Sequence, residues 1–220
     1  MRCFLVSVVL TTLVAGCGGE ASERSAPRFS PPAGPAPAVY RGLFPCEDCP
    51  GIETTLWLRS DHTFFWRQRY LGDAGEPLMT THNLGRWEAD SEGALVLRGS
   101  GPPRRLVADA PDALVLETPS RSTHRLSLDS DAGAFTDPIR IEGVAVVENG
   151  AAVLTECRTG LAAPAGGADM RRFLRQYRSL GYRGKPAFIE VEAVLEWSDD
   201  GTLRSFAVDR FVTIKPGRAC

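Results

Sequence analysis

Residues 52–70, IETTLWLRSDHTFFWRQRY, decide how the first half of the chain folds. Ile52, Thr54, Leu56 and Leu58 recur at every second position, with Glu53, Thr55 and Trp57 between them. That period of two belongs to a strand buried on one face. Ser60-Asp61 marks a turn, after which Phe64, Trp66 and Tyr70 again share a face. The pattern continues in NLGRWEA (83–89), ALVLRG (94–99), RRLVAD (104–109), ALVLET (113–118) and THRLSLD (123–129). Turn residues such as Asp90-Ser91-Glu92-Gly93 and Pro111-Asp112 separate them. About seven short strands at hairpin spacing, with no helical period, predict a meander that closes into a small barrel and so removes its exposed edges.

Working outward, DSDAGAFTDP (129–138) reads as a linker between two domains, residues 39–130 and 138–220. Beyond it, IRIEGVAVVE and AAVLTECR read as strands joined at Asn149-Gly150, a dipeptide suited to a tight hairpin. The period then changes to that of a helix. In ADMRRFLRQYRSLGY, Met170, Phe173, Leu174, Tyr177 and Leu180 form an apolar stripe, Asp169 stands at its start and Gly181 at its end. AFIEVEAVLEW and TLRSFAVDRFVTI return to strand. Strands, one helix and further strands in so short a segment predict a Greek-key barrel of the OB type.

The N-terminus is of another kind. Met1-Arg2 precedes an apolar run from Cys3 to Leu10, and Leu13-Val14-Ala15-Gly16 lead into Cys17. The run is shorter than the ~20 residues of a spanning helix, so residues 1–16 read as a signal peptide. LVAGC resembles a bacterial lipobox, which implies cleavage before Cys17, a diacylglycerol thioether on its sulfur and an acyl chain on its amine. Several acyl chains make a stable anchor, and Gly18 in the place of an aspartate favours the outer membrane. Residues 17–38, rich in Pro, Ala, Ser and Gly, read as a tether. At roughly 3.1 Å per residue it would hold the folded part on the order of 60 Å from the bilayer.

The formal charge of −2 excludes a basic nucleic-acid footprint. Elbow, zincin and phosphate-loop motifs of enzymes are missing, and the chain reads as a non-enzyme. Four arginines, Arg171, Arg172, Arg175 and Arg178, make the outer helix face basic; this reads as a solvated face.

Cysteine usage carries the chemistry. Beyond Cys3 and Cys17, four remain: Cys46, Cys49, Cys157 and Cys220. In an exported protein an even number points to disulfides, and proximity along the chain favours Cys46 with Cys49 and Cys157 with Cys220 among the three possible pairings. The CEDC stretch (46–49) has three readings. A thioredoxin-like catalyst needs a helix N-terminus behind the first cysteine, whereas Pro50-Gly51 and a strand follow here, and Glu47 and Asp48 oppose a thiolate. A soft metal site would take Cys46 and Cys49 as thiolates for copper or zinc, with His62, or Met79 or His82 of the loop MTTH (79–82), as a third ligand. The third reading is a local disulfide, open to reduction.

Residues 40–72, YRGLFPCEDCPGIETTLWLRSDHTFFWRQRYLG, resemble the signature of the NlpE family of envelope lipoproteins. GRWEA, VLTECRTG, GKPAFIEVEA and the closing cysteine resemble the rest of a two-domain member. The resemblance implies a lipocalin-like first barrel carrying Cys46 and Cys49 and an OB-type second domain stapled by Cys157 and Cys220. It implies an outer-membrane lipoprotein facing the periplasm, sensing copper, adhesion and redox cues. Its partners would be an inner-membrane sensor kinase of the Cpx type and the periplasmic disulfide-forming machinery. A binding protein for copper or a small ligand, without signalling, is the alternative.

Overall fold

The computed structural model describes residues 28–31, 37–118, 124–133, 135–182 and 184–220; the expected signal peptide, Cys17 and most of the expected tether lie outside them. Two closed β-barrels make up the fold.

The first contains β1 (Ala38–Phe44), β2 (Ile52–Leu58), β3 (Thr63–Leu71), β4 (Pro77–Ala89), β5 (Leu95–Arg98), β6 (Arg104–Ala110), β7 (Ala113–Leu116) and β8 (His124–Leu128), each antiparallel to the next. β1 closes the ring by pairing Tyr40 with Leu128 and Arg41 with Ser127. Gly42 lies in this seam, where a Cβ would stand 2.0 Å from the Arg125 carbonyl oxygen, so only glycine lets the two backbones meet. Leu56, Leu58, Phe64, Trp66, Trp87, Leu95, Leu97, Leu106, Leu114 and Leu126 fill the interior. At about 25 cal/mol per Å² of apolar surface, that interior is the barrel's main source of stability.

Three strand-level expectations change. The eighth strand is β1, which follows directly on the Pro-rich segment. MTTH lies within β4 rather than in a loop, because Thr80, Thr81 and His82 pair with Arg69, Gln68 and Arg67. Part of the expected tether is also docked: the Phe29 ring is 7% exposed, meets Trp87 edge-on at 5.6 Å, and the Phe29 amide donates to the Gly93 carbonyl.

The second barrel contains β9 (Ile139–Glu148), β10 (Ala151–Glu156), β11 (Ala162–Gly166), the helix α1 (Met170–Ser179), β12 (Ala187–Trp197) and β13 (Leu203–Lys215). The strands close in the order β10-β11-β13-β12-β9, with β11 parallel to β13 and the helix between β11 and β12. This is the five-stranded OB arrangement. Asn149 and Gly150 both have positive φ (51° and 82°), as a tight two-residue hairpin requires. Met170, Phe173 and Tyr177 bury one face of α1, and Gly181 (φ 71°) ends it, its amide donating to the Arg178 carbonyl. Asp169 does not cap the helix; its carboxylate accepts the Phe211 amide across the barrel. β11, AAPAG, was not anticipated.

The two barrels share a seam. Val39, Trp57, Phe65 and Leu84 point out of the first barrel and join the core of the second through Phe135, Ile139 and Leu195. Trp197 packs edge-on against Trp57 at 5.5 Å, and the Arg59 guanidinium lies 3.7 Å from the Trp197 ring centre.

Candidate functional site

The CEDC loop joins β1 to β2 at the end of the first barrel remote from the seam, because Ile52 begins β2 here while Trp57, near its other end, reaches the second barrel. Pro45 and Pro50 flank the pair, and a Cβ on Gly51 would stand 2.7 Å from Leu43 Cδ1, so the loop folds tightly over β1. Cys46 and Cys49 are joined as a disulfide. Their sulfurs are thus bonded to each other and offer no thiolate.

The remaining ligands expected for copper are not brought together. On β4, Met79 and His82 are three positions apart and so face opposite sides of the strand. Met79 pairs with Tyr70 at the rim and is half exposed. His82 lies on the outer wall, opposite Arg67 in the register. Burial, and then the Arg67 charge, lower its pKa to about 4, so it is neutral at pH 7, and its buried Nε2 has no hydrogen-bond partner. Among the described residues no group of three His, Cys, Asp or Glu is placed to hold a metal. The donor set as folded does not fit copper.

The other disulfide has a different setting. Cys157 directly follows β10 and its amide donates to the Glu142 carbonyl at 3.0 Å, while Cys220 lies beyond β13 on the surface; the two are bonded across 63 positions. Beside them Glu156, 1% exposed, organises the turn. One of its carboxylate oxygens accepts from the amides of Arg158 and Thr159 and from the Thr159 hydroxyl. The final segment is held by Arg218 stacked on Phe188 at 4.2 Å and by the Lys215–Glu190 ion pair. A rigid turn thus holds one sulfur while the partner cysteine is exposed, a setting in which an external thiolate can attack.

Residues 40–118 match the family model described as the NlpE N-terminal domain. Lipoprotein NlpE of Escherichia coli (strain K12) is 28% identical over 193 residues, covering 85% of this chain and 80% of that protein. Residues 40–118 are thus similar to the NlpE N-terminal domain. The crystal structure of the Cpx pathway activator NlpE from Escherichia coli is 26% identical over 84% of this chain and 98% of that one, with a TM-score of 0.33.

A polar latch at the seam carries no signal in the sequence. Arg67 and Arg69 both reach Asp137 in the linker, Arg69 at 3.0 Å, and Arg67 is largely buried. The two guanidiniums hold the Asp137 carboxyl below its usual pKa against the effect of burial. Arg86 donates to the Thr159 carbonyl at 2.7 Å, and Arg59 to that of Gly201. Buried N–H groups without partners also occur here: Trp57 Nε1, Trp197 Nε1 and Arg67 Nε. Each offsets part of what the stacked rings contribute.

Proposed function

We propose that this chain is an NlpE-type lipoprotein that acts as an envelope-stress sensor, anchored in the outer membrane through lipid on Cys17 and signalling to an inner-membrane sensor kinase of the Cpx type. It reads the oxidation state of the periplasm through Cys157 and Cys220. The observation that carries this reading is the exposed long-range disulfide, which ties the chain's last residues to the turn after β10.

The physical mechanism is a population shift. When the disulfide-forming machinery fails, the second barrel loses its staple and loosens. The seam, weakened by its unpartnered nitrogens, then releases the outer wall of the first barrel around Trp57, Phe65 and Leu84 to the partner. A Cpx-type reporter in cells lacking the periplasmic thiol oxidant tests the main reading: wild type is induced. A Cys157→Ala, Cys220→Ala variant is induced constitutively and no longer responds to the oxidant's loss. Identical responses from the two proteins would remove the redox role.

A further inference from the structure

The CEDC end of the first barrel carries two features not explained by folding. The first is apolar exposure: Leu43 (61%), Leu78 (68%) and Met79 (50%) are half of the exposed large hydrophobic residues among the described positions, and all three stand at this end. The second is charge. Many other carboxylates on the barrel are ion-paired, as Glu53 is with Arg69, Glu88 with Arg98, and Asp90 and Glu117 with Arg105. Glu47, Asp48, Asp73 and Glu76 have no ion-pair partner among the described residues.

These features meet in one groove. A cleft of about 390 Å³ runs between the CEDC loop and the β3–β4 hairpin, lined by Cys49, Pro50, Leu71 and Leu78 together with the acidic Asp48, Asp73 and Glu76. The disulfide and the closely packed Gly51 pin one wall, and the Gly72 amide to Glu76 carbonyl hydrogen bond at 2.8 Å pins the other. A pre-formed wall lowers the ordering cost of binding.

We infer that this groove docks a basic, aliphatic segment of a partner protein: Arg or Lys heads meet the acidic rim while their stems and a neighbouring Leu or Ile cover Leu78, Leu43 and Pro50. Long cationic side chains pair an apolar stem with a charged head in just this way, and charge complementarity of this kind steers encounter and selects partners. The inference rests on the signalling reading and gives the partner a second footprint, distinct from the wall released at the seam and independent of Cys157–Cys220.

The test uses the soluble chain, residues 18–220, isotopically labelled for amide NMR, with a synthetic peptide rich in Arg and Leu and its matched counterpart with Glu for Arg. The basic peptide should shift amides of residues 43–51 and 71–79 and weaken as salt is raised. The acidic one should leave them unmoved. An Asp73→Asn, Glu76→Gln, Leu78→Ser variant, confirmed folded by its spectrum, should lose affinity by about tenfold or more, whereas Arg171→Gln with Arg175→Gln should not. Equal binding of both peptides, shifts centred elsewhere, or insensitivity to the groove variant would overturn the proposal. So would self-association of the free chain through this end, which would give the surface to a second copy. The reporter response of the Cys157 and Cys220 variant is independent of all these outcomes.

Discussion

The two disulfides join the same chemistry to opposite kinds of architecture. Cys46–Cys49 spans 3 positions in a barrel whose eight strands pair in sequence order, so nearly every contact there is already local. Cys157–Cys220 spans 63 positions in a barrel whose last strand inserts between β11 and β12. Local pairing tolerates the loss of a short loop closure, whereas a non-local topology must first close long loops at an entropic cost. The difference teaches where redox chemistry has leverage: the first bond shapes a loop, and the second governs a fold.

The sharpest way to break this comparison is to remove each bond in turn. The loop-closure relation predicts that Cys157→Ala with Cys220→Ala costs the second barrel about 4 kcal/mol, against about 2 kcal/mol for the first barrel with Cys46→Ser and Cys49→Ser. Calorimetry should show the larger fall in melting temperature for the Cys157 and Cys220 variant. Equal losses would mean that the topological argument fails.

Next in size is the seam. Trp197→Ala removes the ring that meets Trp57, Phe65 and the Arg59 guanidinium, and should cost about 3 kcal/mol. It should also separate one melting transition into two. A single unchanged transition would mean that the barrels are not coupled through these rings.

A smaller effect depends on pH. His82 has a folded pKa of about 4, below the ordinary value of 6.5. Between those values the unfolded chain binds more protons than the folded one, so stability should rise from pH 4 to pH 6.5 and then level off. Allowing for partial solvent screening, the contribution is about 2 kcal/mol. Denaturant midpoints across this window, compared with those of His82→Gln, isolate it; a parallel slope in the variant would assign the effect to other groups. Smallest of all, Leu78→Ser should change stability by less than about 0.5 kcal/mol, because the side chain is 68% exposed. A larger loss would show that Leu78 serves folding rather than docking.

Much of the fold was legible because its signals are local. Alternation marked β2 and β3, and the spacing of Met170, Phe173 and Tyr177 marked α1. β11 escaped because Ala162-Ala163-Pro164-Ala165-Gly166 has neither bulk nor period, and its partners lie on β10 and β13. The beginning of β4 escaped because Thr80, Thr81 and His82 carry no apolar alternation; their pairing with β3 makes them a strand. In the candidate sites the cysteines announced themselves by type. The latch could not: Arg67 and Asp137 are 70 positions apart, and a single arginine has no pattern that names its carboxylate.

The docking of Phe29 turns the N-terminal leash into two lengths in series. On the proposed anchoring through Cys17, a seated Phe29 would leave residues 18–27 as the free leash, at most roughly 30 Å if extended at 3.1 Å per residue. With Phe29 unseated, residues 18–38 would reach about 60 Å by the same measure. One aromatic side chain would thereby set the radius of the volume that the folded part can patrol around such an anchor.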